Sequence, residues 1–361
     1  MIIKVLKANN GDSIYLSFQD KDNIERNILI DGGTPQTYHY LDAKKKKADG
    51  DLKTTIEDLK RRQKHFDLVV LTHVDDDHIG GLLTWMTEDK ESYSMIDKVW
   101  FNSGKIIKEH LESAETAPDE IVLKIKDGSN TTSIQQGVDF EKHLTDNNLW
   151  DRKIFLQHQK VSFYGLDIIV LSPGEEQLEV LLKKWRKEKP GSLTTGKSND
   201  HGISLKIHVD NEDKITDENF VEDDAPHNGS SLAFLITYQQ KNYLFFGDAF
   251  PSVLVASLEK LGYNEANPII AEIVKLSHHG CKLNNSKKLL KMIKSTKFVV
   301  STNSKKDHHP NKQLLARLIN CHPKCEIYFN YPELISKIFT VQDYADFPDF
   351  KPLPVPTAFN L

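Results

Sequence analysis

The fold of this chain is decided by one stretch, Leu71-Thr72-His73-Val74-Asp75-Asp76-Asp77-His78-Ile79-Gly80-Gly81. Two imidazoles and three carboxylates fall within the six positions 73–78. The mostly apolar run 67–71 before them predicts a buried strand, and the spacing over 78–87 predicts a helix. Buried charge is costly unless a metal neutralises it, so this loop predicts a metal site rather than an acidic surface turn. The two glycines at its end let the following helix pack closely.

Alternating apolar and polar residues open the chain. Ile2–Ala8, Ser13–Phe18 and Ile24–Ile30 are predicted to be three strands of a β-meander. Helices and strands then alternate, and a second strand-rich block follows, with predicted strands over Ile203–Val209 and Ile269–Leu276 among others. Two such blocks predict an α/β fold, a four-layer αββα sandwich with two stacked sheets at its centre.

Composition narrows the class of protein. The 361 residues carry a net charge of -5, with a pI near 6.3 and a mean hydropathy of -0.48. These values exclude a chain coated with positive charge for nucleic acid, while a local basic groove stays open. Neither a membrane-length apolar run nor a signal peptide is visible, so we expect a cytoplasmic protein with no membrane partner. Three cysteines cannot all pair, so no disulfide framework is expected.

The loop resembles the His-x-His-x-Asp-His signature of the metallo-β-lactamase superfamily, with Asp75 in place of the second histidine. In this form it is similar to the hydrolase domain of the competence protein ComEC. Further blocks match in order over about residues 1–330: Gly11-Asp12-Ser13-Ile14, Ile28–Gly33, Leu171-Ser172-Pro173, Asn228–Leu232, Phe246–Ala249, Ser277–Gly280 and His309-Pro310. The resemblance implies a single domain over 1–361, with insertions at about 103–160 and 183–228 and a C-terminal extension at about 331–361.

The resemblance also implies a set of metal ligands. They are His73, Asp75, Asp77, His78, Asp248 and His309. Asp248 would bridge two metals, and His309 is a better match than its neighbour His308 to the last metal histidine. Asp31 is implied to orient the ligands from behind. Asn228 lies in the segment where many members carry another metal histidine, and no block accommodates the histidines nearby, His158, His201, His208 and His227.

His278 and His279 form a pair that the resemblance brings to the metal site. Each is a ligand, a phosphate contact or a general acid, and the residues alone do not choose among these roles. With Asp77, they are the predicted catalytic residues. Cys281 beside them is expected to be an ordinary small side chain.

The implied cofactors are two divalent ions. An aspartate in place of a histidine enriches the site in oxygen, so manganese competes with zinc, and magnesium is a third candidate. The resemblance to ComEC favours a metal-dependent phosphodiesterase or nuclease that hydrolyses DNA through a metal-bound hydroxide. Two alternatives stay open. One is a phosphodiesterase acting on a small molecule, such as a nucleotide or a phosphocholine ester, and the other is a partner-binding module of a multiprotein system.

A basic cluster surrounds one tryptophan on a helix predicted over Gly174–Lys189. Its predicted substrate-binding residues are Lys183, Lys184, Trp185, Arg186 and Lys187. Cationic side chains bind phosphates and an indole stacks on a base, so the cluster is a candidate contact for nucleic acid. The alternative is a solvated helix face.

Overall fold

The structure is a computed structural model that describes residues 1–112, 133–185 and 199–361. In the described part of the chain up to residue 185, the strands are β1 (Ile2–Val5), β2 (Ile14–Gln19), β3 (Glu25–Ile30), β4 (His39–Leu41), β5 (Lys47–Asp49), β6 (Leu68–Val70), β7 (Val99–Trp100), β8 (Lys160–Phe163) and β9 (Leu166–Ser172). The helices there are α1 (Pro35–Tyr38), α2 (Asp51–Arg61), α3 (Asp76–Glu88), α4 (Gly104–Glu112), α5 (Ser133–Asp146) and α6 (Glu175–Trp185).

Residues 199–361 form the second block. Its strands are β10 (Ala233–Tyr238), β11 (Lys241–Phe245), β12 (Ile269–Ile270), β13 (Ile273–Lys275), β14 (Ile293–Lys294), β15 (Lys297–Val300), β16 (Glu326–Phe329), β17 (Lys351–Pro354) and β18 (Phe359–Asn360). Its helices are α7 (Leu205–Glu212), α8 (Pro226–Gly229), α9 (Pro251–Lys260), α10 (Lys287–Lys291), α11 (Lys312–Cys321), α12 (Ile335–Ile338) and α13 (Val341–Asp346). Across the three described ranges, no helix is long and apolar enough to cross a membrane.

Most strands assemble into two sheets. The first has the order β18-β1-β2-β3-β6-β7, and the second has the order β17-β16-β15-β13-β11-β10-β9-β8. In the first sheet β2 pairs antiparallel with β3, and β3, β6 and β7 run parallel. In the second, β11, β13, β15 and β16 run parallel. Parallel strands end at the same edge of a sheet, so the loops that follow them gather there.

Alternation along the strands places one apolar set between the two sheets. Leu16 on β2 and Ile28 on β3 belong to the same buried cluster as Phe234 and Ile236 on β10 and Phe245 on β11. Side chains on a strand point to opposite faces in turn, so this spacing buries one face of each sheet against the other. The inner core therefore follows directly from the alternating pattern.

Helices cover the outer faces of the same strands. Leu29 and Val69 pack with helices α2, α3, α5 and α6 in a second buried cluster. Leu244, Val274 and Phe298 pack with α9, α10 and α11 in a third. The layers thus run helix, sheet, sheet, helix, which confirms the predicted four-layer αββα sandwich.

Glycines bring α3 close to the first sheet. A Cβ atom on Gly81 would lie 2.0 Å from the carbonyl oxygen of Gly32, and one on Gly11 would lie 1.7 Å from that of Asp77. The Gly32 N–H donates to the carbonyl oxygen of His78 at 2.8 Å. The first two turns of α3 are therefore held tightly against the turns that follow β1 and β3, as the glycines at 80 and 81 predict.

Two predicted strands are wrong in detail. Most of Ile203–Val209 belongs to helix α7, because the Ser204 side chain caps the helix by accepting the Ile207 N–H, and α7 packs on α11. Ile269–Leu276 is divided into β12 and β13, which belong to different sheets. In both segments β-branched residues favour a strand locally, and tertiary packing overrides that preference.

The C-terminal residues 331–361 contribute to both sheets. Strand β17 pairs with β16 at the edge of the second sheet, and β18 pairs with β1 at the edge of the first. The predicted extension is thus built into the sandwich. The proposed domain limits and insertions stay predictions.

Candidate metal centre

Loops after the strands bring the predicted site residues to one edge of the sandwich. Asp31 follows β3 and His73 follows β6 in the first sheet, while Asp248 follows β11 and His278 follows β13 in the second. The two sheets are joined there, since the Leu232 N–H donates to the carbonyl oxygen of Thr72 at 3.0 Å. The site therefore draws on the carboxyl ends of strands from both sheets.

Asp248 lies at the middle of the cluster. Its Oδ2 atom is 3.5 Å from His78 Nε2, 3.8 Å from His73 Nε2, and 3.7 Å from the Nε2 atoms of both His278 and His279. The carboxyl group is buried, at 2% exposure. One carboxylate thus faces four imidazoles, although they are supplied by two loops of different sheets.

Two further aspartates line the same small cavity as Asp248. Asp75 Oδ2 lies 3.8 Å from His73 Nε2, and Asp77 Oδ2 lies 3.7 Å from His279 Nε2. The Asn10 side chain donates to Asp77 Oδ2 at 2.7 Å and holds it in place. Asp76, the third aspartate of the loop, accepts a hydrogen bond from a glutamine on α5 and is not among the residues that line the cavity at this centre.

His309 completes the predicted set. Its ring centroid is 4.9 Å from that of His278, with the two planes nearly perpendicular, and both side chains line the same small cavity. Burial, with His278 and His279 nearby, holds the pKa of His309 well below its usual value, so the ring stays neutral. Its neighbour His308 lines a different cleft.

Several buried donor atoms in this cluster have no hydrogen-bond partner. Among the described residues they are the Nε2 atoms of His73, His78, His279 and His309 and the Oδ1 atom of Asp248. Buried polar atoms are nearly always paired, so this concentration needs an explanation. Imidazole nitrogen and carboxylate oxygen are the donors that divalent transition metals take. The buried cluster of aspartates and histidines therefore fits a divalent metal.

Asp31 contacts the cluster on the side away from Asp248 Oδ2, through His78 Nδ1 and Thr72. It accepts hydrogen bonds from the Thr72 N–H and hydroxyl, both at 2.7 Å, and its Oδ2 atom lies 2.8 Å from His78 Nδ1. With Nδ1 engaged there, the Nε2 atom of His78 faces Asp248. A carboxylate behind an imidazole is the arrangement that fixes the orientation of metal-binding histidines.

Asn228 reaches the cluster through a second polar group. Its side chain donates to Asp223 Oδ2 at 2.6 Å, and Asn284 donates to the same oxygen at 2.9 Å. His278 is held by these residues, with Nδ1 at 2.9 Å from Asn284 Oδ1 and 3.5 Å from Asp223 Oδ2. Asn228 is thus a support for His278. Neither Asp223 nor Asn284 is part of a recognisable sequence pattern.

Of the histidines that fit no sequence block, His227 is the one that touches a predicted ligand. Its Nδ1 atom lies 2.8 Å from Asp75 Oδ1. His201 instead faces the carbonyl oxygen of Pro310, and His208 faces that of Asp200. The contact between His227 and Asp75 depends on the tertiary fold, which explains why the sequence left it unassigned.

Opposite charges stabilise one another within the cluster. Burial opposes charge on Asp248, but His78, His279 and His278 hold the pKa of that carboxyl well below its usual range. Burial also opposes charge on His78, yet Asp248 and Asp31 hold its pKa well above the usual value. Despite burial, Asp248 likewise raises the pKa of His278, so without a bound cation protons on His78 and His278 compensate the carboxylates, and a divalent ion competes for the same positions.

The turn that carries the histidine pair is strained. His278 has a φ of 49° and His279 a φ of 55°, in the left-handed region that residues with a Cβ rarely adopt. The His278 N–H donates to the carbonyl oxygen of Gly247 at 2.9 Å, which holds the turn beside Asp248. Strain of this kind is concentrated at functional sites, where the surrounding structure enforces it.

A lysine that the sequence did not single out lies at the mouth of the centre. Lys306 lines the small cavity together with Asp77, His278 and His309. The negative charge of Asp77 raises the pKa of Lys306, so the ammonium stays charged. Residues on either side of it line a neighbouring cleft of about 840 Å³. The loop 303–309 is therefore shared by the metal centre and a larger open cleft.

The predicted basic cluster is described only in part. Lys183 is an exposed residue near the end of α6, and the backbones of Lys184 and Trp185 complete that helix. The side chains of those two residues, and all of Arg186 and Lys187, lie outside the described residues. Helix α6 packs against α8, which carries Asn228. The proposed contact with nucleic acid stays a prediction.

Part of this chain is similar to a known protein family. Residues 19–158 match the family model described as the metallo-beta-lactamase superfamily, whereas a search of curated proteins found no match. Zn(2+)-bound PqqB from Methylobacterium extorquens aligns over 100% of both chains, with a TM-score of 0.44 and 11% identity. The metallo-beta-lactamase fold protein YhfI from Bacillus subtilis aligns over 99% of this chain and 97% of its own, with a TM-score of 0.41 and 12% identity. The diiron beta-hydroxylase CmlA from Streptomyces venezuelae aligns over 100% of this chain and 54% of its own, with a TM-score of 0.38 and 9% identity.

The family match includes the strand that ends at Asp31 and the whole loop from His73 to His78. These residues lie in a four-layer αββα sandwich, at the edge where a buried group of aspartates and histidines fits a divalent metal. Over residues 19–158 the chain therefore resembles the metallo-β-lactamase superfamily, and the chain has the four-layer αββα fold of that superfamily.

Proposed function

We propose that this protein is a metal-dependent phosphodiesterase that hydrolyses nucleic acid, with DNA as the first substrate to test. One observation carries the hydrolytic part of the proposal: four buried imidazole nitrogens and one oxygen of Asp248 have no hydrogen-bond partner in this cluster. The finer choice of a phosphodiester is supported by the His-x-Asp-x-Asp-His loop, which resembles the loop of the ComEC hydrolase domain, and by cationic groups at the mouth of the centre.

Two groups of donors support a pair of metal ions. We group His73 with Asp75, whose Nε2 and Oδ2 atoms lie 3.8 Å apart, and Asp77 with His78, whose Nε2 atom lies 3.5 Å from Asp248 Oδ2. We assign the first pair to one ion and the second pair to the other, with Asp248 shared between them and His309 at the same cavity. Three carboxylates among these ligands favour manganese or magnesium alongside zinc.

Divalent ions at this position would supply a nucleophile derived from water at neutral pH and would neutralise charge on the reacting oxygens. The chain itself supplies two further groups. Both histidines of the pair line the small cavity, but the His278 side chain is 12% exposed, against 3% for His279. It is therefore the better placed of the two to contact a substrate and to give a proton to the leaving oxygen. Lys306 adds positive charge for a phosphate at the mouth.

The neighbouring cleft supports an extended anionic substrate. Its volume of about 840 Å³ is in the range of ligand sites, and Lys305 and Lys337 line it together with one acidic residue, Glu333. It adjoins the metal centre, since Asn9 lines the cleft and Asn10 lines the cavity at the metal loop. Because the whole chain carries a net charge of -5, this local group of lysines distinguishes the cleft as a candidate site for an anion.

The test is an assay with metal-stripped protein. Single- and double-stranded DNA, RNA and a chromogenic phosphodiester are each incubated with added manganese, magnesium or zinc, and Asp77→Asn serves as the inactive control. We expect metal-dependent cleavage of at least one nucleic acid. Cleavage of the chromogenic diester alone would favour the small-molecule alternative. Metal binding without any hydrolysis would overturn the proposal.

The cleft is tested separately by the double change Lys305→Gln and Lys337→Gln. We expect weaker DNA binding and a flatter dependence of the binding constant on salt, because each lost phosphate contact removes about 0.7 to 0.9 from the log–log slope. Turnover of the chromogenic diester should not change, since the centre is intact. Lys294→Gln is the matched control, because Lys294 is an exposed residue of β14 and does not line the cleft. Equal DNA binding by the double variant and the control would remove the cleft from the substrate path.

A further inference from the structure

A buried ion pair lies directly behind His279. Lys275 Nζ is 2.6 Å from Asp12 Oδ2, and both side chains are 2% exposed. The same ammonium donates to the carbonyl oxygen of Leu276 at 2.9 Å. Burying two charges costs several kcal/mol per ion before their attraction is counted, and apolar residues often replace such a pair without loss of stability. Stability alone therefore does not explain why the pair is present.

Asp12 also contacts the histidine. Its second oxygen, Oδ1, lies 3.2 Å from His279 Nδ1. Although Asp12 lies close enough to His78, Asp248 and His279 to be counted in one metal-binding group with them, each of its oxygens already has a partner. Asp12 is thus better described as a support than as a ligand.

The charge of Asp12 fixes which proton the ring carries. An ionised carboxylate only accepts hydrogen bonds, so His279 Nδ1 must be the donor in this contact. In the neutral ring, Nε2 then carries the lone pair. That atom is buried, has no hydrogen-bond partner, and lies 3.7 Å from Asp77 Oδ2 and from Asp248 Oδ2.

The pair is tied to the metal loop by the backbone as well. The Asp12 N–H donates to the carbonyl oxygen of Asp77 at 3.1 Å, and the adjacent Gly11 allows this close approach. The turn between β1 and β2 therefore holds both Asp77 and, through Asp12, His279. The ion pair between Asp12 and Lys275 joins residues that are 263 positions apart in the sequence.

We propose that Asp12 and Lys275 are positioning residues that orient the Nε2 lone pair of His279 toward the centre, which makes His279 a metal ligand and leaves proton donation to His278. This inference rests on the metal-binding part of the proposed function and holds for any substrate. An acceptor, the amide oxygen of Asn284, also faces Nδ1 of His278, so the two histidines differ in exposure: the His278 side chain is 12% exposed and that of His279 is 3% exposed.

The first test needs no metal and no variant of the pair. Nitrogen-15 NMR of histidine-labelled, metal-free protein distinguishes a ring protonated at Nδ1 from one protonated at Nε2, and the His279 signal is assigned by its loss in His279→Gln. We expect His279 to carry its proton on Nδ1. A proton on Nε2 alone in the wild-type protein would overturn the inference.

The second test removes the acceptor. In Asp12→Asn the amide N–H can donate to Nδ1, which leaves the proton on Nε2 and directs it at the centre. We expect zinc or manganese to bind 10–100-fold more weakly, the usual range for losing a group that supports a metal-bound histidine. Competition with a chelator measures the dissociation constant. Lys275→Met, which removes the buried ammonium, should act in the same direction.

Asp67→Asn is the matched control, because Asp67 is equally buried and paired with Arg26 but precedes β6, at the end of that strand away from the metal loop. It should bind metal as the wild type does. Unchanged metal affinity in folded Asp12→Asn would overturn this inference alone. Failure of the wild-type protein to bind zinc, manganese or magnesium would instead overturn the proposed function.

Discussion

Two buried clusters of charged side chains in this molecule serve opposite purposes. One is the candidate metal centre around Asp248. The other, which we call the anchor network, consists of Asp200, Glu212, Lys312, Arg317 and Asp343 and joins α7 to α11 and α13. All five of its side chains are less than 10% exposed. Burial of charge alone therefore does not distinguish a functional site from a structural one.

The clusters differ in how their charges are paired. In the anchor network, Arg317 Nε lies 2.6 Å from Glu212 Oε2 and Lys312 Nζ lies 2.7 Å from Asp343 Oδ2. Asp200 accepts two backbone N–H groups at the start of α11, each at 2.9 Å. No side-chain atom of these five residues is without a hydrogen-bond partner. The candidate metal centre instead contains several buried nitrogen and oxygen atoms without hydrogen-bond partners, which is typical of a ligand-binding site.

The largest effect is expected from Asp248→Asn, which removes the carboxylate that faces four histidines. Hydrolysis should fall by roughly a thousandfold or more, because several kcal/mol of charge stabilisation are lost and each 1.4 kcal/mol is a factor of ten. Steady-state kinetics with the chromogenic diester and circular dichroism of the same sample measure activity and fold. Activity near the wild-type level would contradict the assignment of Asp248.

The next largest effect is expected from Glu212→Gln in the anchor network. It leaves the buried Arg317 guanidinium without its counter-charge, so the free energy of unfolding should fall by about 3–5 kcal/mol. Denaturant unfolding measures this change. The metal content of the folded protein should equal that of the wild type. A loss of metal together with normal stability would erase the distinction between the two clusters.

A smaller effect is expected from Asp31→Asn, behind His78. Metal affinity should weaken by about 10–100-fold, since the ring loses the carboxylate that orients it. Chelator competition gives the dissociation constant, and the unfolding transition of the metal-free protein reports any loss of structure. Wild-type affinity in this variant would show that His78 needs no support from Asp31.

The anchor network should respond to acid. Burial opposes charge on Asp343, but the hydrogen bond from Lys312 lowers the pKa of its carboxyl below the usual value. A lowered pKa stabilises the folded state above the unfolded-state value of about 3.9, and this contribution is lost as the pH falls through the folded-state value. Asp343→Asn should therefore be less stable than the wild type at pH 7. The difference in unfolding free energy should shrink below about pH 4, and a constant difference would contradict this explanation.

The smallest effect is expected from alkylation of Cys321 and Cys325, because both thiols are expected to be unreactive in the folded protein. Burial raises the pKa of Cys321 to about 11 and that of Cys325 to about 12, so both stay protonated at pH 8. Iodoacetamide should label neither residue in the folded protein and both in urea, as read by mass spectrometry. Rapid labelling of either residue in the folded protein would contradict this explanation.

Much of this architecture could be predicted from local sequence. The alternation over β1, β2 and β3 and the apolar run before His73 depend only on neighbouring residues, so their strands were predicted correctly. The family resemblance then implied which loops would meet. The structure brings together His73, Asp75, Asp77, His78, Asp248, His278, His279 and His309, while their roles as ligands stay predictions.

What could not be predicted depends on contacts between distant parts of the chain. Asp12 and Lys275 form a pair only after both sheets have packed, and Lys275 stands in an apolar strand with no local signal of its purpose. Asp223 and Asn284 support His278 in the same way. Helix α7 was predicted to be a strand because its apolar residues alternate, whereas its cap at Ser204 and its packing on α11 decide otherwise.

The metal content of the purified chain shows directly whether the residues around Asp248 bind metal. Protein stripped of metal and reloaded with zinc or manganese is analysed by inductively coupled plasma mass spectrometry, beside Asp248→Asn and Glu212→Gln. We predict about two ions per chain in the wild type and in Glu212→Gln, as in paired-metal hydrolases, and a clear loss in Asp248→Asn. A wild-type chain without bound metal, or an Asp248→Asn chain with the wild-type content, would contradict the account.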